Sequence, residues 1–208
     1  VRPSTSTYNG PTPALGEILS YPVIQNAAAY PAITNFAAAG SGSISTSQTI
    51  APGAFGKMAL AGNKTLTFSG TGNYIFSEIE NSGSKNTIVF DFQNQSTGTI
   101  RLLVHGNIDL GKIKVQFING GDAGRVYTET HGSGTSASAN TAFEIASGSV
   151  GGGQKSGWIG MVWAPYGSIK LNASSGSEFK GSLFSRKKII LGNNLTVTHV
   201  PHDFCNPM

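Results

Sequence analysis

The sequence predicts an all-β chain wound into a right-handed parallel β-helix, a β-solenoid, with an N-terminal segment that caps the first coil or packs along its side. Three observations carry that expectation. Glycine supplies 28 of the 208 residues, Ser and Thr together 42, and Asn 15, a composition rich in the residues that form tight turns. Short runs of β-branched and aromatic residues alternate with polar ones at period two, which is the strand period. The third observation is an internal repeat.

Residues 1–16 hold three prolines and five Ser or Thr residues and read as an extended arm. Residues 17–39 are rich in Ala and interrupted by Pro22 and Pro31. Short helices are expected over residues 23–29 and 32–39, each limited by a proline, which lacks an N–H and clashes with the preceding turn. A polar Gly/Ser stretch, residues 40–47, closes this first segment, residues 1–49. Residues 50–208 form the solenoid, with strands expected at 65–68, 74–76, 88–92, 100–104, 113–118 and 189–200. Clusters of Asn, Gly, Ser and Asp turn the chain between them. The repeat blurs over residues 120–157, so residues 132–140 and 148–157 are read as surface loops.

Aligning Gly56 with Gly98 places Met58 on Ile100, Leu60 on Leu102, Leu66 on Ile108 and Phe68 on Leu110, an offset of 42. Aligning Gly160 with Gly181 places Val162 on Leu183 at an offset of 21; with one residue lost in the turn, Ile169 falls on Ile189 and Leu171 on Leu191. A unit of about 21 residues suits one coil of a solenoid. One coil cannot bury its apolar residues, whereas coils stacked about 4.8 Å apart place like above like and close a core. Leu60, Leu102, Val162 and Leu183 are therefore expected to point inward.

Fourteen basic residues against ten acidic ones give a net charge of +4. They are thinly spread, and a nucleic-acid footprint needs a clustered stripe. No apolar run approaches the length that spans a bilayer. The single cysteine, Cys205, cannot form an internal disulfide. The low charge, and an N-terminus without an apolar signal core, suit a mature secreted chain or a piece of a longer surface protein.

The run Gly160-Met-Val-Trp-Ala-Pro-Tyr-Gly-Ser-Ile-Lys-Leu171, followed by residues 179–185 and Ile189-Ile-Leu-Gly-Asn193, resembles the closing coils of bacterial extracellular β-helix domains of the ice-binding-like and choice-of-anchor A adhesin type. Residues 52–60, 65–68 and 72–76 are similar to the coil that precedes them. The resemblance covers residues 50–200 and marks coil architecture without a catalytic assignment. It implies surface attachment, ice binding or carbohydrate contact. The expected function is a non-catalytic extracellular adhesion or ligand-binding module, secreted or at the cell surface, that meets glycan or matrix. A polysaccharide-active enzyme and an ice-binding protein are the alternatives. No cofactor or metal is expected.

Candidate contact residues are Trp163 and Tyr166, whose rings suit the C–H faces of sugars, and the basic run Arg186, Lys187 and Lys188. Trp163 follows inward Val162 and should face outward, either as a contact or packed beneath the N-terminal segment or a neighbouring loop. Glu78 and Glu80 share one side of a strand about 6.5–7 Å apart, close to the spacing of inverting glycosidases, though such pairs are more often a wet strand face. Asp91 and Asp109 could approach a basic residue across rungs, as in acidic-polysaccharide lyases. Ice binding needs flat ranks of Thr. The outward pairs Thr65/Thr67, Asn107/Asp109, Ser168/Lys170 and Thr196/Thr198 interrupt such ranks with charge. His199, His202, Asp203 and Cys205 match no standard zinc spacing.

Overall fold

The computed structural model describes residues 30–134, 141–145, 149–151, 154–172 and 177–202. Among them the chain is a parallel β-solenoid without α-helix. It runs as triplets of short strands: β1 (Gln48–Ile50), β2 (Gly53–Ala54) and β3 (Met58–Leu60), then β4 (Thr65–Ser69), β5 (Gly72–Phe76) and β6 (Ile79–Asn81), then β7 (Asn86–Asp91), β8 (Ile100–Val104) and β9 (Ile108–Leu110). Next come β10 (Ile113–Ile118), a single 3-10 turn (Ala123–Arg125), β11 (Val126–Thr130) and β12 (Thr141–Ile145). A small hairpin, β13 (Ser149–Gly151) and β14 (Gln154–Lys155), leads to two longer-sided turns, β15 (Gly157–Ala164) with β16 (Ser168–Leu171) and β17 (Ser177–Ser185) with β18 (Ile189–Leu191); β19 (Leu195–His199) ends the stack.

Stacking these turns makes three parallel faces. Face 1 orders β1-β4-β7-β10, face 2 orders β2-β5-β8-β11-β15-β17-β19, and face 3 orders β3-β6-β9-β12-β16-β18. Face 1 stops at β10, where the N–H of Ile113 donates to Ser156 Oγ at 3.2 Å just ahead of the long strand β15. The only antiparallel pair among the described strands is β13 with β14, inside the span read as a surface loop.

Period two sorts side chains between interior and surface, and parallel register turns the interior positions into columns. Phe68, Phe90 and Phe117 are register partners on face 1, with ring centroids 5.5 and 6.3 Å apart. Trp158 meets Phe90 and Phe143 edge-on at 6.1 and 5.6 Å. On face 2, Tyr74, Leu102, Thr128, Val162 and Leu183 form one inward column. The buried Tyr74 hydroxyl donates to the carbonyls of Ser69 and Gly70, both at 2.8 Å, so its polar end is satisfied at the corner. Two interior asparagines are also paired: the amide of Asn86 meets that of Asn81, and Asn86 Oδ1 accepts from the N–H of Lys64 at 2.8 Å.

The corners use the residue chemistry that the composition suggested. Asn63, Asn94, Asn119 and Asn194 adopt positive φ, which Asn tolerates better than most side chains. Gly160 and Gly181 are register partners with φ of 96° and 151°. A Cβ on Gly181 would overlap the carbonyl of Gly160, and one on Gly160 would overlap the backbone of Val126.

Half of the repeat alignment survives. Gly160 with Gly181, Val162 with Leu183, Ile169 with Ile189 and Leu171 with Leu191 are all true register partners. The offset of 42 is not a rung. Met58 stacks on Ile79, which in turn stacks on Ile108, on face 3, whereas Ile100 stacks on Gly72 and Val126 on face 2. Early coils differ in length because residues 92–99 form a long corner, and the apolar-polar-apolar pattern is alike on every face. An alignment can therefore land on the neighbouring face with all inward positions still matching. Two further expectations are corrected. Residues 32–39 are not helical, and the strand expected at 189–200 is two strands broken at a corner where Asn194 takes a φ of 63°.

Candidate functional site

Face 2 carries the chemistry. Each of its strands ends at one corner, so the residue after the strand sits beside its counterpart one turn away. The N–H of His105 donates to the Phe76 carbonyl at 3.0 Å, that of His131 to Val104 at 2.8 Å, and that of Arg186 to Ala164 at 3.4 Å. His105, His131, the Pro165-Tyr166 turn and Arg186 thereby follow one another along a ridge. The rings of His131 and Tyr166 meet edge-on at 5.3 Å. Tyr166 is 45% exposed, and Arg186, Lys187 and Lys188 are exposed on the next turn. The Ser185 hydroxyl donates to the Gly167 carbonyl at 2.9 Å and accepts from the N–H of Lys187 at 3.0 Å, which fixes the two corners to each other. Four of the five sequence-predicted contact residues thus share one edge.

Trp163 does not join them at the surface. It faces outward, as its parity required, but has no exposed surface. It packs with Ile75, Leu103, Tyr127 and Met161, and Ile33, Phe36, Ala39 and Phe184 pack against this cluster. The Arg186 guanidinium lies 5.8 Å from its ring centroid. An outward aromatic on a bare sheet would be a contact; under an apolar cover it becomes a second core.

The cover, residues 31–39, is held by polar groups that the sequence reading missed. Glu129 has no exposed surface. Its Oε1 accepts from the N–H of Thr34 at 2.9 Å and lies 2.8 Å from His131 Nε2, while its Oε2 accepts from the Tyr127 hydroxyl at 2.6 Å. Burial, followed by the bond to Glu129, pushes the Tyr127 hydroxyl well above its usual range. His105 Nε2 faces the Ala37 carbonyl at 2.9 Å, and the Phe36 ring sits 4.6 Å from both His105 and His131. Backbone groups that a helix would satisfy internally are here taken by side chains of face 2. The signal was the alternation Tyr127-x-Glu129-x-His131, which sets all three on one side of a strand.

Face 3 carries a ladder of charge. Glu80, Asp109, Glu144 and Lys170 are successive register partners. Lys170 Nζ donates to Glu144 at 2.9 Å. Lys57 closes the other end, 3.1 Å from Glu78 and 2.5 Å from Glu80; these two carboxylates raise its pKa. Asp109 is pushed up by desolvation first, and then by the negative charges of Glu144, Glu80 and Glu78. The expected Glu78/Glu80 pair is thus held by one ammonium.

The four outward pairs weighed for ice binding are not equivalent positions, because they lie on three different faces. Thr67 lies beside Thr49 and Val89, and Thr65 beside Thr87, all on face 1, with Lys114 and Gln116 on the following rung. Asp109 and Lys170 belong to face 3, and Thr196 and Thr198 to face 2. Asp91 is on face 1, so it and Asp109 face different directions. Among the described residues no group of three or more His, Cys, Asp or Glu side chains could hold a metal ion, and no helix is long and apolar enough to cross a membrane. Asp203 and Cys205 lie outside the described residues. No protein-family model, curated protein or solved structure matches the chain.

Proposed function

We propose that the chain is a non-catalytic extracellular adhesion or ligand-binding module of a bacterial surface or secreted protein, contacting glycan or matrix through the corner ridge of face 2. One observation carries this reading: the half-exposed ring of Tyr166 leans on His131, with Arg186, Lys187 and Lys188 exposed on the adjoining turn. An aromatic face offers stacking to the apolar side of a sugar ring, and neighbouring cations favour carboxylated or sulfated residues. The ridge is shallow and runs along the solenoid axis, which suits an extended polymer better than a small molecule. Glycan-array binding tests it. Acidic glycans should give signal that falls at least about tenfold in Tyr166→Ala and in the double variant Lys187→Glu with Lys188→Glu. Absence of signal on every glycan, or signal indifferent to both variants, overturns it.

A polysaccharide-cleaving enzyme is the second reading, and Asp109 is the observation in its favour. A carboxyl with raised pKa beside two further carboxylates is the arrangement from which an acid and a base can be drawn. Release of reducing sugar from acidic polysaccharide, lost in Asp109→Asn, would support it; no release from any such polymer removes it.

A further inference from the structure

The two ends of the solenoid are unlike. At the end where the chain enters, the interior residues Ile44 and Ile50 are 3% and 7% exposed. At the other end, three interior positions lie open: Ile189 is 42% exposed, Leu191 48% and Val197 47%. Their register partners one rung inward, Ile169, Leu171 and Phe179, are 0%, 2% and 1% exposed. The open residues are thus the last members of the core columns and not surface side chains. The strands that carry them, β18 and β19, are the terminal strands of face 3 and face 2, so each presents a free edge of backbone donors and acceptors.

We infer that this end is a docking site for an extended segment of a partner protein, which adds as one further rung along β18 and β19 and carries carboxylates before its first apolar strand. The apolar requirement follows from the columns: side chains at alternate positions must cover Ile189, Leu191 and Val197. The charge requirement follows from the corner, because Arg186, Lys187 and Lys188 immediately precede β18 on the open rung. A second copy fits less well. A two-fold axis across the solenoid brings one face onto itself and exchanges the other two, so it can extend β18 or β19 but not both, and among the described strands face 1 has none at this end. Head-to-tail stacking would need the opposite end, whose interior residues are already covered. A single chain segment that turns one corner meets both edges.

The test uses the full chain and two dye-labelled peptides. Each holds two Val-Thr-Val segments joined by Gly-Asn-Asn; one begins with two glutamates and the other with two lysines. Fluorescence anisotropy should show the acidic peptide binding at least about tenfold more tightly than the basic one, with the gap narrowing as salt rises. Binding should be lost in the double variant Leu191→Lys with Val197→Lys, whose circular dichroism confirms the fold, and should be unchanged in Tyr166→Ala. That last comparison separates this site from the ridge contact. Equal binding of both peptides, no binding of either, loss of binding in Tyr166→Ala, or a concentration-dependent dimer that the double variant abolishes would each overturn the inference.

Discussion

The backbone N–H of Thr34 reaches Glu129 Oε1 across 2.9 Å, and the bond ties a non-helical segment to a carboxylate with no exposed surface. Hydrogen bonds to buried charge are worth about 1.5–3 kcal/mol. Thr34→Pro removes the donor and should lower stability by about that amount in urea unfolding. Thr34→Ala keeps the N–H and loses the hydroxyl's contacts with Arg101, at 3.4 Å, and with the Tyr127 hydroxyl, so its midpoint should fall by less than that of Thr34→Pro. Equal midpoints for the two variants would show that the bond contributes nothing.

Trp163 should report the same segment optically. Both tryptophans are buried, Trp158 in the main core and Trp163 under residues 31–39. Acrylamide should quench wild-type fluorescence poorly. In Thr34→Pro the added quenching should disappear when Trp163 is replaced by Phe and persist when Trp158 is.

Asp109 and Asp91 should shift stability with pH in opposite directions. Asp109 has a raised folded pKa, so its folded form binds a proton more tightly than the unfolded chain does. Its ionised form therefore costs stability at neutral pH, and that cost disappears as pH falls through the raised folded pKa toward the unfolded value. Asp109→Asn should raise Tm at pH 7 and lose this advantage near pH 4. For Asp91, desolvation pushes the pKa up, but the bonds from the Gln93 N–H, Asn119 and Ser69 outweigh it and the net shift is downward. Its contribution is present above the unfolded pKa and lost as pH falls through the folded one, so Asp91→Asn should lower Tm at pH 7 and converge with the wild type in acid. A pH-independent difference for either variant would refute the assignment.

Gly181→Ala should cost several times more than Gly42→Ala. The first places a Cβ against the Gly160 carbonyl at a φ of 151°, whereas the second meets nothing within 4 Å. Urea midpoints measure both. Comparable losses would mean that close approach of the turns is not what the glycine serves.

Trp158→Ala should cost about 3–5 kcal/mol, the usual loss for a large aromatic removed from a packed core. Trp158→Phe should cost clearly less, because the indole N–H is buried without a hydrogen-bond partner and its removal breaks none. A Phe variant as damaged as the Ala variant would point to a bond at that nitrogen.

Periodicity and composition made the solenoid legible. Alternation in 65–68, 100–104 and 113–118 marked strands that the structure contains, and the match of 160–171 to 181–191 was a true rung. Of the ridge, Tyr166, Arg186, Lys187 and Lys188 were visible as residue types beside a corner. Glu129 and His131 were not, since a polar residue at an outward position reads as solvated unless something is known to cover it.

The division has a physical cause. Strand parity is local, so the sequence determined which side chains point inward, though it missed the corner at Asn194 that divides residues 189–200. Which coil lies on which depends on corner lengths that alternation does not record, and parity alone therefore placed Met58 and Ile100 in one column although they belong to different faces. Only tertiary packing decided that Trp163 is core and not contact, because its burial comes from Phe36 and its neighbours, more than a hundred residues away in the chain.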